Sequence, residues 1–302
     1  MKHFIILLTF TLALVPSLFA QKHVRTVKER FQVGADASVF LDVRFGDITV
    51  TPSEGNVVDA VVTITVHDGS RDDAKRQAEA VAVEMKMQGE KVTLRTNLPK
   101  GENKGIEIDV RIAMPKGGHL YAVTKFGDVN VSGIAGSAKV NSSFGNVEVI
   151  QSSNVEVESS YGFVSLSDIA ENFRVEAKMG DVKVFNVPLG TIQSSYGDVE
   201  VSRPNAAVNI SSSMGEISVK DCRGGSIKSS YGDVEIILSS SFNGAIQAEA
   251  SFGEVDSNFP MEEVGKKNKY GPSPDKKRAK LGSGSDRLSI NSSFGDVDIR
   301  RR

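Results

Sequence analysis

The chain has 302 residues, 36 basic and 38 acidic side chains, 39% hydrophobic residues, no tryptophan and one cysteine. A charge balance so close to neutral speaks against a nucleic-acid binder, which carries a basic excess, and a lone cysteine excludes an internal disulfide framework. Plentiful Gly and Ser without loss of Val and Ile point to a folded, β-rich chain rather than to disorder.

The first element is a leader. Lys2 and His3 precede an apolar run from Phe4 to Val15, then Pro16, Ser17 and small Ala20. This is the layout of a secretory signal peptide over residues 1–20, and the run is short for a membrane span, which needs about 20 residues. The expectation is an exported protein, periplasmic or at the cell surface, with no transmembrane segment after cleavage.

Residues 21–120 read as a β-rich N-terminal part continuous with the remainder of the chain. "RFGDITV" at Arg44 to Val50 introduces a motif, and "VVDAVVTITV" and "GIEIDVRIAM" are extended. Between them "SRDDAKRQAEAVA" predicts one short helix: Ser70 can cap it, Asp72 and Asp73 suit its first turn, and Ala74, Ala78 and Val81 form a narrow apolar stripe. Such a helix, packed near the N-terminal end, would shield the sheet there from pairing with another chain.

From residue 121 the motif becomes a repeat. "SSYGDVE" occurs twice, at Ser194 to Glu200 and Ser229 to Glu235. With the residue before the Gly as anchor, the unit recurs at Phe126, Phe144, Tyr161, Met179, Tyr196, Met214, Tyr231, Phe252 and Phe294, in first steps of 18, 17, 18, 17, 18 and 17 residues. A fixed short period marks a repeat architecture. Four places before the anchor stand Val140, Val157, Val175, Ile192, Ile210 and Ile227; two before it stand small residues such as Ser142, Ala177 and Ser194. Three places after it stand Val129, Val147, Val164, Val182, Val199, Ile217 and Val234. Apolar residues at every second place give a strand with one buried face, and the Gly-Asp pair gives a bend between two strands. Stacked units would then form an all-β fold, a single-stranded parallel β-helix or solenoid with 17–18 residues per coil, neighbouring strands lying about 4.8 Å apart. By parity the aromatic and Met anchors are expected inside, as a core ladder rather than a sugar-binding strip. The step of 42 residues from Phe252 to Phe294 predicts an inserted basic loop over residues 257–287, followed by one last coil.

These residues resemble a bacterial family of "putative adhesin" domains, exported β-helical proteins akin to the head domains of autotransporter adhesins. The resemblance lies in the "SSFGDVDI" and "SSYGDVEV" units, the "MPKGGHLYAVTKFGDVNV" lead-in and "LGSGSDRLSINSSFGDVDI", over most of Phe31 to Ile299. It implies a surface-exposed, adhesive protein and brings no catalytic residue with it.

Candidate chemistry is sparse. Asp181, Asp198, Glu216, Asp233 and Glu254 follow the motif Gly and would stack as a column. Carboxylates about 4.8 Å apart repel by roughly 1 kcal/mol in water, which a calcium ion could relieve; the competing reading is turn residues whose side chains bond nearby amides. His3, His23, His67 and His119 lie outside the regular coils, and the serines show no nucleophile-elbow sequence. Cys222 reads as a small residue at a turn or as one half of an intermolecular disulfide. The run "KKNKYGPSPDKKRAK" gives the candidate interaction residues Lys266, Lys267, Lys269, Tyr270, Lys276, Lys277, Arg278 and Lys280, which would attract an anionic partner. The expectation is a non-enzymatic protein without a cofactor, whose partner is an envelope glycan or protein, or a second copy. The alternatives are an assembly scaffold of the envelope and, with less support, a polysaccharide-acting enzyme.

Overall fold

The structure, a computed structural model, describes residues 22–67, 70–99, 105–265 and 273–302. The leader of residues 1–20 lies outside the described residues. No described helix is long and apolar enough to cross a membrane.

Each coil supplies one long strand and one short strand to two different sheets. Ser137–Phe144 and Val147–Ile150 are one such pair, with Gly145 and Asn146 at the bend between them. The long strands of the coils belong to a 14-stranded sheet and their short strands to a 13-stranded sheet among the described residues. Pairing between coils is parallel and in register: Val140 lies beside Val157, Val157 beside Val175 and Val175 beside Ile192. These columns are buried, as are those of Val129, Val147, Val164, Val182 and Val199 after the bend. The interior between the sheets is therefore filled with β-branched side chains, and the predicted all-β solenoid is the fold.

The bend explains why Gly recurs in every unit. Gly197 has φ +127°, and a Cβ there would lie 2.4 Å from the carbonyl oxygen of Gly180 in the coil below. Consecutive bends pack backbone against backbone, so a side chain has no place at this point. At two rungs the small residue two places before the anchor also ties the bend, whereas the Ser159 and Ser194 hydroxyls at the same position are buried without a partner. Ser229 and Ser292 are buried, and their hydroxyls donate to the carbonyls of Gly232 (3.0 Å) and Gly295 (3.1 Å) across the bend.

At the N-terminal end the regular stacking gives way to antiparallel pairing. His23–Gln32 pairs with Val57–Val66, and that strand pairs with Ile106–Met114. In the other sheet Ala82–Gln88 pairs with Lys91–Asn97. The helix Arg71–Ala80 lies against His23–Gln32 and Val57–Val66. Ser70 caps it by accepting from the Asp73 amide, and Ala74, Ala78 and Val81 are its buried stripe. Arg25 closes the other end of the helix, donating to the carbonyls of Ala78 (2.9 Å) and Val81 (2.8 Å).

The C-terminal end departs from the expected order. The chain's last coil, Asp286–Phe294 and Val297–Arg301, is not the last coil of the rod. It sits between Gly225–Tyr231 and Gly244–Phe252, so Tyr231 neighbours Phe294, and Phe294 neighbours Phe252. The physical reason is Asp275–Leu281, which forms a strand instead of part of a loop. It runs antiparallel along the outer edge of Gly244–Phe252 and returns the chain to Gly244, beside which Asp286 starts the next strand. Asn243 ties the short link: its side-chain oxygen accepts from the Gly284 amide (2.7 Å), and its own amide donates to the Asp286 carboxylate (2.7 Å).

Candidate interaction surface

The anchor residues lie outside the core, against the expectation from parity. The alternation fails at the end of the long strand, before the Gly: Ser142 is buried yet Phe144, two places on, is exposed, and the register passes from the Ser142 and Ser159 pair to the Phe144 and Tyr161 pair without the residues between, so the anchor side chain points outward at the corner between the sheets. In spatial order the ladder runs Phe45, Phe126, Phe144, Tyr161, Met179, Tyr196, Met214, Tyr231, Phe294 and Phe252, each paired in register with the next. All ten are exposed, from 37% at Phe126 to 57% at Phe252.

Strand spacing fixes the ring geometry. The rings of Phe126 and Phe144 stack with centroids 5.0 Å apart and planes 8° apart; Phe144 and Tyr161 stack at 4.7 Å and 4°, and Tyr231 and Phe294 at 4.8 Å and 2°. Met179 and Met214 fill the rungs on either side of Tyr196. Ring faces are thus turned toward neighbours and ring edges toward solvent. A sugar ring packs flat against an open aromatic face, and Phe126, Phe144 and Phe294, stacked on both sides, offer none. The ladder is instead an unbroken apolar ribbon, nine rung spacings or on the order of 43 Å long.

A carboxylate column runs beside it. Asp128 Oδ1 accepts from the Asn146 amide (2.7 Å), Asp181 Oδ1 from Asp198 (2.9 Å), Asp198 Oδ1 from Glu216 (2.9 Å), and Asp233 Oδ1 from Asp296 (2.8 Å). The turn residues therefore bond amides of the neighbouring coil, a non-local version of the turn reading. Glu254 neighbours Asp296 rather than Asp233, since the last coil intervenes. No group of three or more His, Cys, Asp or Glu that could hold a metal ion occurs among the described residues.

Of the basic run, Lys266, Lys267, Lys269 and Tyr270 lie outside the described residues. Lys276, Lys277, Arg278 and Lys280 stand on the strand Asp275–Leu281 near the end of the rod. There Lys276 pairs with Glu249 (2.7 Å), Lys277 with Asp275 (3.2 Å) and Arg278 with Glu262 (3.1 Å). Arg278 and Lys280 also border an open groove of about 780 Å³, together with Met261 and Arg287. Charges along an outer strand discourage pairing with another sheet, which gives this part of the run a structural use.

Histidines and the cysteine fall elsewhere. His67 Nε2 meets Glu107 (2.9 Å), and His119 Nδ1 meets the Ser137 hydroxyl (2.9 Å) in the next coil, both on exposed surface. Sequence gives no sign of the His119 and Ser137 pair, because the residues meet only through stacking. No carboxylate orients that imidazole among the described residues, so the arrangement lacks the third member of a triad. Cys222 is buried, which closes the intermolecular disulfide to the folded protein; burial pushes its thiol up to about 11.

The model of one protein family, described as Toastrack DUF4097, matches residues 38–300. Among solved structures, one described as a "putative lipid binding protein" from Parabacteroides distasonis is 14% identical, covering 92% of this chain and 96% of that one at a TM-score of 0.49. A "putative adhesin" from Bacteroides fragilis is 12% identical, covering 91% and 97% at a TM-score of 0.40. A "putative cell adhesion protein" from Clostridium sporogenes is 11% identical, covering 93% and 100% at a TM-score of 0.24. No curated protein matches.

Proposed function

The chain belongs to the Toastrack DUF4097 family, and we propose that it is an exported, non-enzymatic interaction module of the cell envelope whose contact surface is the exposed ladder. The observation that carries this reading is the ladder itself. Side chains of this kind offer about 150–250 Å² each, so ten of them roughly half exposed leave on the order of 900 Å² of continuous apolar surface. The largest such patch on a typical monomer is about 300–600 Å², and larger ones mark contact sites.

The core gives the same direction by another route. Side chains fill the space between the two sheets, so recognition belongs on the outside of the rod. The partner favoured by closed ring faces is a protein surface rather than a glycan. The basic run is the weaker candidate, because three of its four described cations are already paired.

Binding of purified residues 21–302 to intact cells and isolated envelope fractions tests this. Saturable binding is expected, lost when Tyr161, Tyr196 and Tyr231 are together replaced by Ser and retained when Lys266, Lys267 and Lys269 are. Binding lost with the lysines and kept without the tyrosines would move the site to the basic run. Turnover of an envelope polysaccharide by the purified protein would overturn the non-enzymatic reading.

A further inference from the structure

We propose that the occupant of the ladder is a second copy of this chain, lying parallel and in register with the first about a two-fold axis along the rod. This rests on the reading of the ladder as a contact surface and adds the partner and its orientation.

Size favours a second copy. A stable interface takes about 800 Å² from each partner, and the ladder supplies about that amount from a single column of side chains. Shape favours it too. The ribbon is unbroken for on the order of 43 Å and carries a feature every 4.8 Å or so. A curved globular surface meets only part of such a line, and a flexible segment must be ordered to follow it. A second copy has the same length and period already built, and an isologous contact is self-complementary.

The flanks decide the orientation. On one side of the ladder, two places after each anchor, eight of ten rungs carry an acid, the exceptions being Asn146 and Phe163. On the other side, one place before each anchor, stand Arg44, Lys125 and Lys178, with serine at the remaining seven rungs and no acid. A two-fold axis along the rod places the acidic flank of each copy opposite the serine and cation flank of the other. An axis across the rod sets acid against acid, which repels. The parallel pair also presents the same end of both copies on one side, which suits two molecules on one surface rather than a bridge between two surfaces.

Sedimentation and single-cysteine crosslinking of the whole mature chain test the proposal. Wild type is expected to be a dimer, and the Tyr161→Asp/Tyr231→Asp variant a monomer with unchanged circular dichroism. Phe126 and Phe294 occupy the second and ninth rungs. Phe126→Cys and Phe294→Cys, each alone, should crosslink to themselves through a short bismaleimide, while buried Cys222 gives little background. An antiparallel pair crosslinks only when the two variants are mixed, and that result overturns the proposal. So does a wild type still monomeric at about 100 μM, a hundred times the concentration at which a micromolar dimer half-forms. A monomer whose envelope binding still requires the tyrosines would sink the second copy and leave the ladder as the contact surface; loss of both would sink the two together.

Discussion

Two residues set different limits on the rod. Gly197→Ala must push a Cβ into the carbonyl oxygen of Gly180, a backbone atom of the preceding coil that cannot rotate away, at a φ of +127°. Gly55 has φ +87° and nothing within 4 Å of where a Cβ would stand, so Gly55→Ala carries only the backbone cost of about 1–2 kcal/mol. The expected loss for Gly197→Ala is larger, about 2–5 kcal/mol, since overpacking adds about 1–3 kcal/mol. Denaturant unfolding of both variants checks this, and equal midpoints would show that the bends have slack. Cys222 makes a pH prediction. Its thiol titrates near 11 in the fold against an ordinary value near 9, because burial disfavours the thiolate. The folded state holds that proton more tightly, so the stabilisation is complete below about pH 9 and is lost as pH rises toward 11, by roughly 3 kcal/mol in total. Cys222→Ser should flatten the fall in stability over that window, and an unchanged slope would mean the thiol does not contribute to it.

At the scale of elements, the last coil is the part most exposed to test. Asp286–Phe294 and Val297–Arg301 fill a slot with a strand on each side in both sheets. Ending the chain at Ser285 would leave the edges of Gly225–Tyr231 and Gly244–Phe252 unpaired and open the columns of Ile227 and Ala248 to water. Limited proteolysis is expected to cut within residues 225–285 while sparing the coils up to Met214. Uniform resistance would mean that the cap closes directly onto the coil of Tyr231. This element also shows what residues alone can reveal. The columns of Val140 and Val147 are legible because a period of two survives along each strand. Parity misplaces the anchor inward because the count does not hold to the edge of the bend, where the chain turns and alternation ends. The order of the last two coils is hidden because strand pairing is non-local, and the 42-residue step names no neighbour. The basic run reads as a loop from its Pro, Gly and Lys content, although Lys276 to Lys280 pair with Gly244–Phe252 and are held there by Glu249 and Glu262.

For the whole molecule, a stack of coils behaves as a one-dimensional array in which each unit is stabilised by its neighbours. Opening then starts at the ends of the rod, not at the ends of the chain. In most folds the final residues of a chain fray first. Here Val297 and Ile299 lie within a few residues of the C-terminus, yet both are fully buried and their strand pairs on both sides. Glu262–Glu263 and Asp275–Leu281 stand farther from the terminus in sequence but form the outer edge of their sheet. Hydrogen exchange should therefore protect amides of residues 288–299 about as strongly as those of the coil Asn172–Phe185, while amides of residues 262–265 and 275–281 exchange early. The Val297 amide is the sharpest reporter, since it donates to Glu254 O at 2.8 Å in the coil beyond it. Early exchange there, at the rate of the outer strands, would place the last coil outside the stack and overturn the order of coils on which the ladder's final rungs depend.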